Sequence, residues 1–357
     1  MVSDRLGHVP ALNGLRGVAI LSVLLMHGYG VPGGFLGVDL FFVLSGFLIT
    51  TLLLEEHVLS GRISLLRFYG RRARRLLPVA FAAIWFNVII WVGQAILFGA
   101  DTRRVLLGAL FAAFYVENFA HFLHPPVVTG IGHFWSLSQE EQFYFVWPPL
   151  LIAALRRVRL SWLVAVLATL FVIVLVHRGM LAGDWRRVYF APDTRCDGMI
   201  LGCLLALVWK KGLLRASRTW LFVGPAALAV FALDVSSMHA EAQATALYGI
   251  TVANVAAAAM IASVVLAPAA PLSRVLAAAP LKLLGLISYS VYIWQPTASK
   301  LGLTGTAMIV ATLIVATLSY RYVEKPFRQR HAARSASSRT RPDGRVEAVE
   351  VAALATR

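Results

Sequence analysis

Apolar residues run almost uninterrupted along this chain in stretches that lie close to the 17–25 residues a helix needs to cross a hydrocarbon layer of about 30 Å. Candidate spans fall at about 10–28, 35–54, 78–98, 104–122, 140–155, 161–177, 196–209, 218–235, 246–267, 283–301 and 304–322. Short polar links separate them, and no strand-like alternation competes. The pattern predicts an all-α fold: a polytopic integral membrane helix bundle. Composition agrees, because a chain of 357 residues that is 59% apolar and 14% charged cannot turn most of its surface to water.

Charge then sets the topology. A formal charge of +16 is compatible with a nucleic-acid surface only on a soluble fold, so no nucleic-acid partner is expected. Here the basic residues lie between the spans, where Lys and Arg mark the cytoplasmic side. With all eleven spans crossing and the N-terminus inside, the 33 Lys and Arg divide into 13 inside and 20 outside, against that rule. Removing 104–122 from the count, a segment with Glu117, Asn118 and His121, gives 26 inside and 7 outside. The expectation is therefore about ten transmembrane helices, both termini cytoplasmic, and a re-entrant or interfacial 104–122 whose polar groups must be satisfied by protein or water. The membrane domain is assigned to 1–328 and a disordered basic cytoplasmic tail to 329–357. Cys196 and Cys203 lie two helical turns apart, about 10 Å and beyond a disulfide's reach. No residue spacing suggests a metal site.

Ionisable residues in membrane segments are costly and are functional candidates for that reason. His27 closes the run Leu21-Ser-Val-Leu-Leu-Met-His27, and Arg16 precedes it by eleven residues, so the two share a helix face about 16 Å apart. A neutral imidazole suits general-base work; an interfacial histidine at a span end is the plainer alternative. Asp39 and Ser45 interrupt the next apolar run, among glycines 33, 34, 37 and 46 that permit close helix packing. Asp39 can serve function or simply bond a neighbouring helix.

Next comes Arg67-Phe-Tyr-Gly-Arg71-Arg72-Ala-Arg74-Arg75, denser in arginine than orientation demands. Arg72 and Arg75 share one helical face and can clamp phosphates bidentately; the alternative is an amphipathic stretch on anionic lipid. In Phe134-Trp135-Ser136-Leu-Ser138-Gln-Glu140-Glu141, the Ser138–Glu141 spacing is that of a capping box, leaving Glu140 to orient a histidine. Asp193, Arg195 and Asp197 read as mutually neutralising at a span start. Tyr289 and Tyr292 in Ser288-Tyr-Ser-Val-Tyr-Ile-Trp-Gln295 read equally as an aromatic belt.

Taken in order, Arg16 with His27, GGFLGVDLFFVLSGFLIT from Gly33, FYGRRARRLLP from Phe68, FWSLSQEEQFY from Phe134, DTRCDG from Asp193, SYSVYIW from Ser288 and EKPFR from Glu324 resemble the acyltransferase-3 family of bacterial membrane O-acyltransferases. The resemblance implies about ten spans in the bacterial inner membrane. It also implies an acyl-CoA donor, commonly acetyl-CoA, and transfer to a hydroxyl of a carbohydrate, a lipid-linked glycan or a glycosylated small molecule. It carries catalytic importance to Arg16 and His27, and donor binding to Arg72 and Arg75. Some members add an extracytoplasmic esterase-like domain after an eleventh span; the expectation here is action without one, alone or with a separate partner. Where the family motif ends in histidine, this chain has Gln295, which hydrogen-bonds but cannot exchange a proton at neutral pH.

The expected mechanism places CoA phosphates on Arg71, Arg72 and Arg75, the pantetheine arm past Arg16, and His27 as base. Glu140 or Asp39 orients the imidazole. Trp135, Ser136, Glu141, Tyr289 and Tyr292 are the candidate acceptor contacts. Direct attack on the thioester is expected, since no Ser or Cys has a recognisable nucleophile setting, although an intermediate on His27 or Ser45 stays open. A single groove should connect Arg72, Arg16 and His27. The rival from another class is a transporter or exporter of glycans, lipids or small hydrophobic compounds, with the same ionisable groups as a proton relay. No repeated halves support it.

Overall fold

A computed structural model of the chain describes residues 5–98, 102–123 and 131–327. The expected tail from 329 lies outside the described residues. Among them, the secondary structure is helical: α1 (Pro10–Tyr29), α2 (Gly37–Ser60), α3 (Leu65–Phe98), α4 (Thr102–Ala113), α5 (Glu117–Phe122), α6 (Phe134–Arg157), α7 (Leu160–Met180) and α8 (Trp185–Phe190). The second half holds α9 (Pro192–Arg195), α10 (Asp197–Lys210), α11 (Trp220–Ser237), α12 (Ile250–Leu266), α13 (Pro271–Leu276), α14 (Ala279–Leu286), α15 (Ser288–Lys300) and α16 (Gly305–Ser319). A π-turn leads into α12 at Thr245–Gly249, and another extends α16 at Tyr320–Glu324. The chain is an all-α helical membrane bundle.

By length and composition, seven helical stretches among the described residues can cross a bilayer: Pro10–Tyr29, Gly34–Ser60, Leu65–Gln94, Leu160–Met180, Trp220–Ser237, Thr245–Leu266 and Gly305–Phe327. The other expected spans are shorter or more polar. With 14 residues, α10 extends only about 21 Å. Gln139 to Gln142 interrupt the apolar run of α6, and Ile287 divides the expected 283–301 span into α14 and α15. Segment 104–122 is two short helices, broken where Tyr115 adopts φ 54°. With 12 residues, α4 rises about 18 Å, too little to traverse the hydrocarbon.

Sequence suggested that the arginine cluster precedes the third span; in the structure it belongs to it. Residues 65–98 form one 34-residue helix with Pro78 inside, about 51 Å long, so its arginine-bearing turns extend past the thickness of the hydrocarbon core. The bundle's exterior is apolar, with Leu66, Trp85, Ile89, Phe222 and Leu318 exposed, while Asp39, Arg178, Arg195, Asp197 and Lys210 are buried. Charges inside and hydrocarbon outside suit a protein whose solvent is lipid.

At the centre, α2 packs along α10 and α12, and α1 along α14. A Cβ on Gly46 would collide with the Met199 carbonyl, and one on Gly202 with that of Val43. These two glycines let α2 and α10 touch backbone to backbone, which fixes the depth at which α2 presents Ser45.

Candidate active site

A cavity of about 70 Å³ opens between α1, α2, α3, α6 and α15. Three arginines reach it, Arg16 from α1 and Arg72 and Arg75 from α3, together with one carboxylate, Glu140 from α6. Ser45, Ser136, Tyr144, Ser288, Tyr289 and Tyr292 supply hydroxyls, and Val38, Phe41, Phe42, Leu44, Leu76 and Leu137 form the apolar walls.

Each arginine is placed differently. Arg72 Nη2 donates to Glu141 Oε1 at 2.8 Å while its guanidinium lies 3.2 Å from the centroid of the Tyr144 ring. That pairing of carboxylate and aromatic face, both from α6, holds α3 against α6. Arg75 Nε lies 3.9 Å from Glu324 Oε1, a carboxylate with no exposed surface that also accepts from Ser290 Oγ at 3.3 Å. Arg16 gives Nε to Ser288 Oγ at 3.5 Å, and the charged groups nearest it are Glu140, Glu324 and Arg72.

Glu140 accepts from Ser45 Oγ at 3.0 Å and lines the cavity with Arg72 and Arg16. Above this pair, Ser136 Oγ and Tyr292 OH share a 2.5 Å hydrogen bond, and Tyr292 OH donates to the His133 carbonyl at 3.2 Å. Tyr289 OH donates to the Leu76 carbonyl at 2.9 Å, tying α15 to α3.

The remaining sequence candidates lie elsewhere. Arg71 is exposed and lies 3.7 Å from Glu56, away from the cavity. Its one-residue offset from Arg72 turns it about 100° around α3. Asp39 has Arg195 as its ion-pair partner at 3.0 Å, not His27, because it faces α9. Trp135 packs on Phe42 and Tyr189 beside Arg195. Glu141 does not line the cavity; it anchors Arg72. The capping-box reading fails: α6 begins at Phe134, so Ser138 lies a turn inside and donates to the Phe134 carbonyl at 2.9 Å.

His27 occupies the last turn of α1 and is not in the cavity lining; its neighbouring basic groups are Lys300 and His133. The expected groove therefore joins Arg72 to Arg16, with His27 beyond it along the same helix.

Asp193, Arg195 and Asp197 do not neutralise one another. Asp193 receives Arg187 Nη1 and Nη2 at 2.7 and 2.6 Å and lies 3.0 Å from His177 Nε2. Partial burial works against its ionisation, yet the hydrogen bonds from Arg187 and His177 hold its carboxyl below the ordinary range. Asp197 receives Arg178 Nη1 at 2.6 Å and Asn254 Nδ2 at 3.0 Å. Both cysteines are free thiols. No metal-binding group of His, Cys, Asp or Glu is found among the described residues.

A profile described as an acyltransferase domain (Acyl_transf_3) matches residues 9–321, nearly the whole chain. The chain belongs to this acyltransferase family. Among curated proteins, it is 32% identical to YrhL of Bacillus subtilis over 353 residues, covering 90% of this chain and 55% of that protein. The O-acetyltransferase OatA of Staphylococcus aureus is 30% identical over 358 residues, with 90% and 58% covered. The peptidoglycan O-acetyltransferase OatA of Listeria monocytogenes is 31% identical over 360 residues, with 90% and 56% covered. The acyltransferase domain thus spans a little over half the length of these relatives. No solved structure matches it.

Sequence reasoning missed Ser45 bonded to Glu140 and Arg72 bonded to Glu141. These partners are 95 and 69 residues apart, and no local spacing encodes such a pairing.

Proposed function

We propose that this acyltransferase domain moves an acyl group, most simply acetyl, from acyl-CoA to a hydroxyl of a cell-envelope carbohydrate. The relatives named O-acetyltransferases and peptidoglycan O-acetyltransferase support both the acetyl group and the glycan acceptor. The observation that carries the reading is the cavity: Arg16, Arg72 and Arg75 converge on one space that holds a single lining carboxylate. Three guanidiniums on one cavity suit an anionic ligand, because guanidinium forks match phosphate oxygens. Coenzyme A brings phosphates and a thin apolar-polar arm, and the latter suits a narrow cavity with apolar walls.

In this reading the phosphates meet Arg72 and Arg75 at the cytoplasmic end, with both termini on that side. The thioester lies near Arg16, whose guanidinium can stabilise the oxyanion that forms when the carbonyl is attacked. His27, farther along the same face of α1, takes the proton of the acceptor hydroxyl. Over the whole reaction the C–S bond of the donor breaks, an ester C–O bond forms on the acceptor, and the CoA thiolate leaves and is protonated.

The test follows labelled acetyl-CoA into envelope glycan in membranes carrying the protein. His27→Ala at normal expression should reduce transfer about 10²–10⁴-fold, the worth of a positioned general base. Undiminished transfer in His27→Ala would remove the catalytic role from that residue.

A further inference from the structure

Helical serines in apolar surroundings ordinarily bond back to the carbonyl one turn earlier. Ser22 does so to Val18 at 3.1 Å and Ser138 to Phe134 at 2.9 Å. Ser45 does not. Its Oγ reaches across from α2 to α6 and donates to Glu140 Oε1 at 3.0 Å, on the wall of the cavity that also holds Arg16. The other serine hydroxyls on that wall are differently engaged: Ser136 with Tyr292, and Ser288 as acceptor from Arg16. Ser45 is the one held by a carboxylate.

A hydroxyl within hydrogen-bond reach of a base, itself oriented by a third group, is the arrangement of an activated nucleophile. Here the base is Glu140, and Arg72 and Arg16 line the same cavity. Ser45 lies eight residues into α2, about 12 Å from its start, one turn beyond Phe41, whose ring lies 5.9 Å from the Arg16 guanidinium.

Resting on the acyl-transfer reading above, we infer that Ser45 carries the acyl group as a covalent ester between donor and acceptor, with Glu140 as its base. Ser45 Oγ attacks the thioester carbonyl carbon; the C–O bond forms and the C–S bond breaks. The Oγ proton passes to Glu140 and from there to the departing CoA sulfur. On this route the acceptor hydroxyl gives its proton to Glu140 rather than directly to His27 and attacks the serine ester; the new C–O bond forms, the serine ester C–O bond breaks, and Glu140 returns the proton to Ser45 Oγ as it leaves. No oxidant or further reactant is required.

Intact-protein mass spectrometry of the purified full chain, incubated with acetyl-CoA and no acceptor, reads the intermediate directly. The expected result is a single acetyl adduct that maps to α2 and appears with one equivalent of released CoA. Ser45→Ala should show neither adduct nor released CoA while CoA still raises its melting temperature, so that the fold and donor site are seen to be intact. Ser45→Cys should trap a thioester at the same position, and Glu140→Gln should slow adduct formation about 10²-fold or more. Wild-type transfer rates in Ser45→Ala, or an adduct at another residue, would overturn the serine ester and leave the acyl-transfer reading standing. Failure of the wild type to release CoA from acetyl-CoA with or without envelope acceptor would overturn both.

Discussion

Two groups of arginines lie inside this bundle, and they differ in where their guanidiniums point. Around α9, Arg195 meets Asp39 at 3.0 Å and Arg178 meets Asp197 at 2.6 Å, all four with essentially no exposed surface. Arg178 also donates to the Ala246 and Thr194 carbonyls and to Thr251, while Trp135, Tyr189 and Phe42 surround Arg195. Around the cavity, Arg72 pairs with Glu141 and Arg75 with Glu324, and both line the open space together with Arg16. In the first group the charges are enclosed by protein, so their role is to hold helices together. In the second group the guanidiniums border open space, where a ligand can reach them. Buried charge in a membrane is therefore a functional signal only after its partners are known.

The sharpest way to break this distinction is to delete one member of each group. Arg178→Ala or Asp197→Ala leaves an uncompensated buried charge, so stability should fall by about 3–5 kcal/mol. Thermal unfolding in detergent checks this, and replacing both residues with apolar side chains of similar volume should recover most of the loss. A cavity arginine should behave oppositely. Arg72→Ala with Arg75→Ala should raise the KM for acyl-CoA about 10–100-fold, the worth of one charge-assisted hydrogen bond of about 1.5–3 kcal/mol. The smallest effect is expected at Arg71, whose exposed pairing with Glu56 at 3.7 Å is worth at most about 1 kcal/mol. Arg71→Ala should leave the KM near its original value, and a shift as large as at Arg72 would erase the contrast.

The helices were legible in the sequence because length and hydropathy are local properties. So was the broken 104–122 segment, whose Glu117, Asn118 and His121 do not belong in hydrocarbon. Arg72 and Arg75 could be chosen together from their spacing, and the structure sets both on the cavity. What spacing could not resolve was which carboxylate meets which cation. Asp193, Arg195 and Asp197 look self-neutralising on paper, yet their partners come from α2, α7 and α8. Ser138 with Glu141 satisfies a capping pattern, but the helix had already begun at Phe134. Ser45 looked like a lone hydroxyl in an apolar run until α6 brought Glu140 against it. Apart from the capping pattern, each error concerned a long-range contact, which depends on how helices pack and not on the order of residues within one.

The central claim is that the Arg16–Arg72–Arg75 cavity is the donor site, and thermal stability with added coenzyme A tests it most directly. A ligand that binds only the native state stabilises it by mass action, about 2.7 kcal/mol at a hundredfold excess over Kd. The account predicts that CoA raises the melting temperature of the wild type and of Arg71→Ala, and that the shift is lost in Arg72→Ala with Arg75→Ala. Equal stabilisation of all three proteins, or none in the wild type, would contradict it.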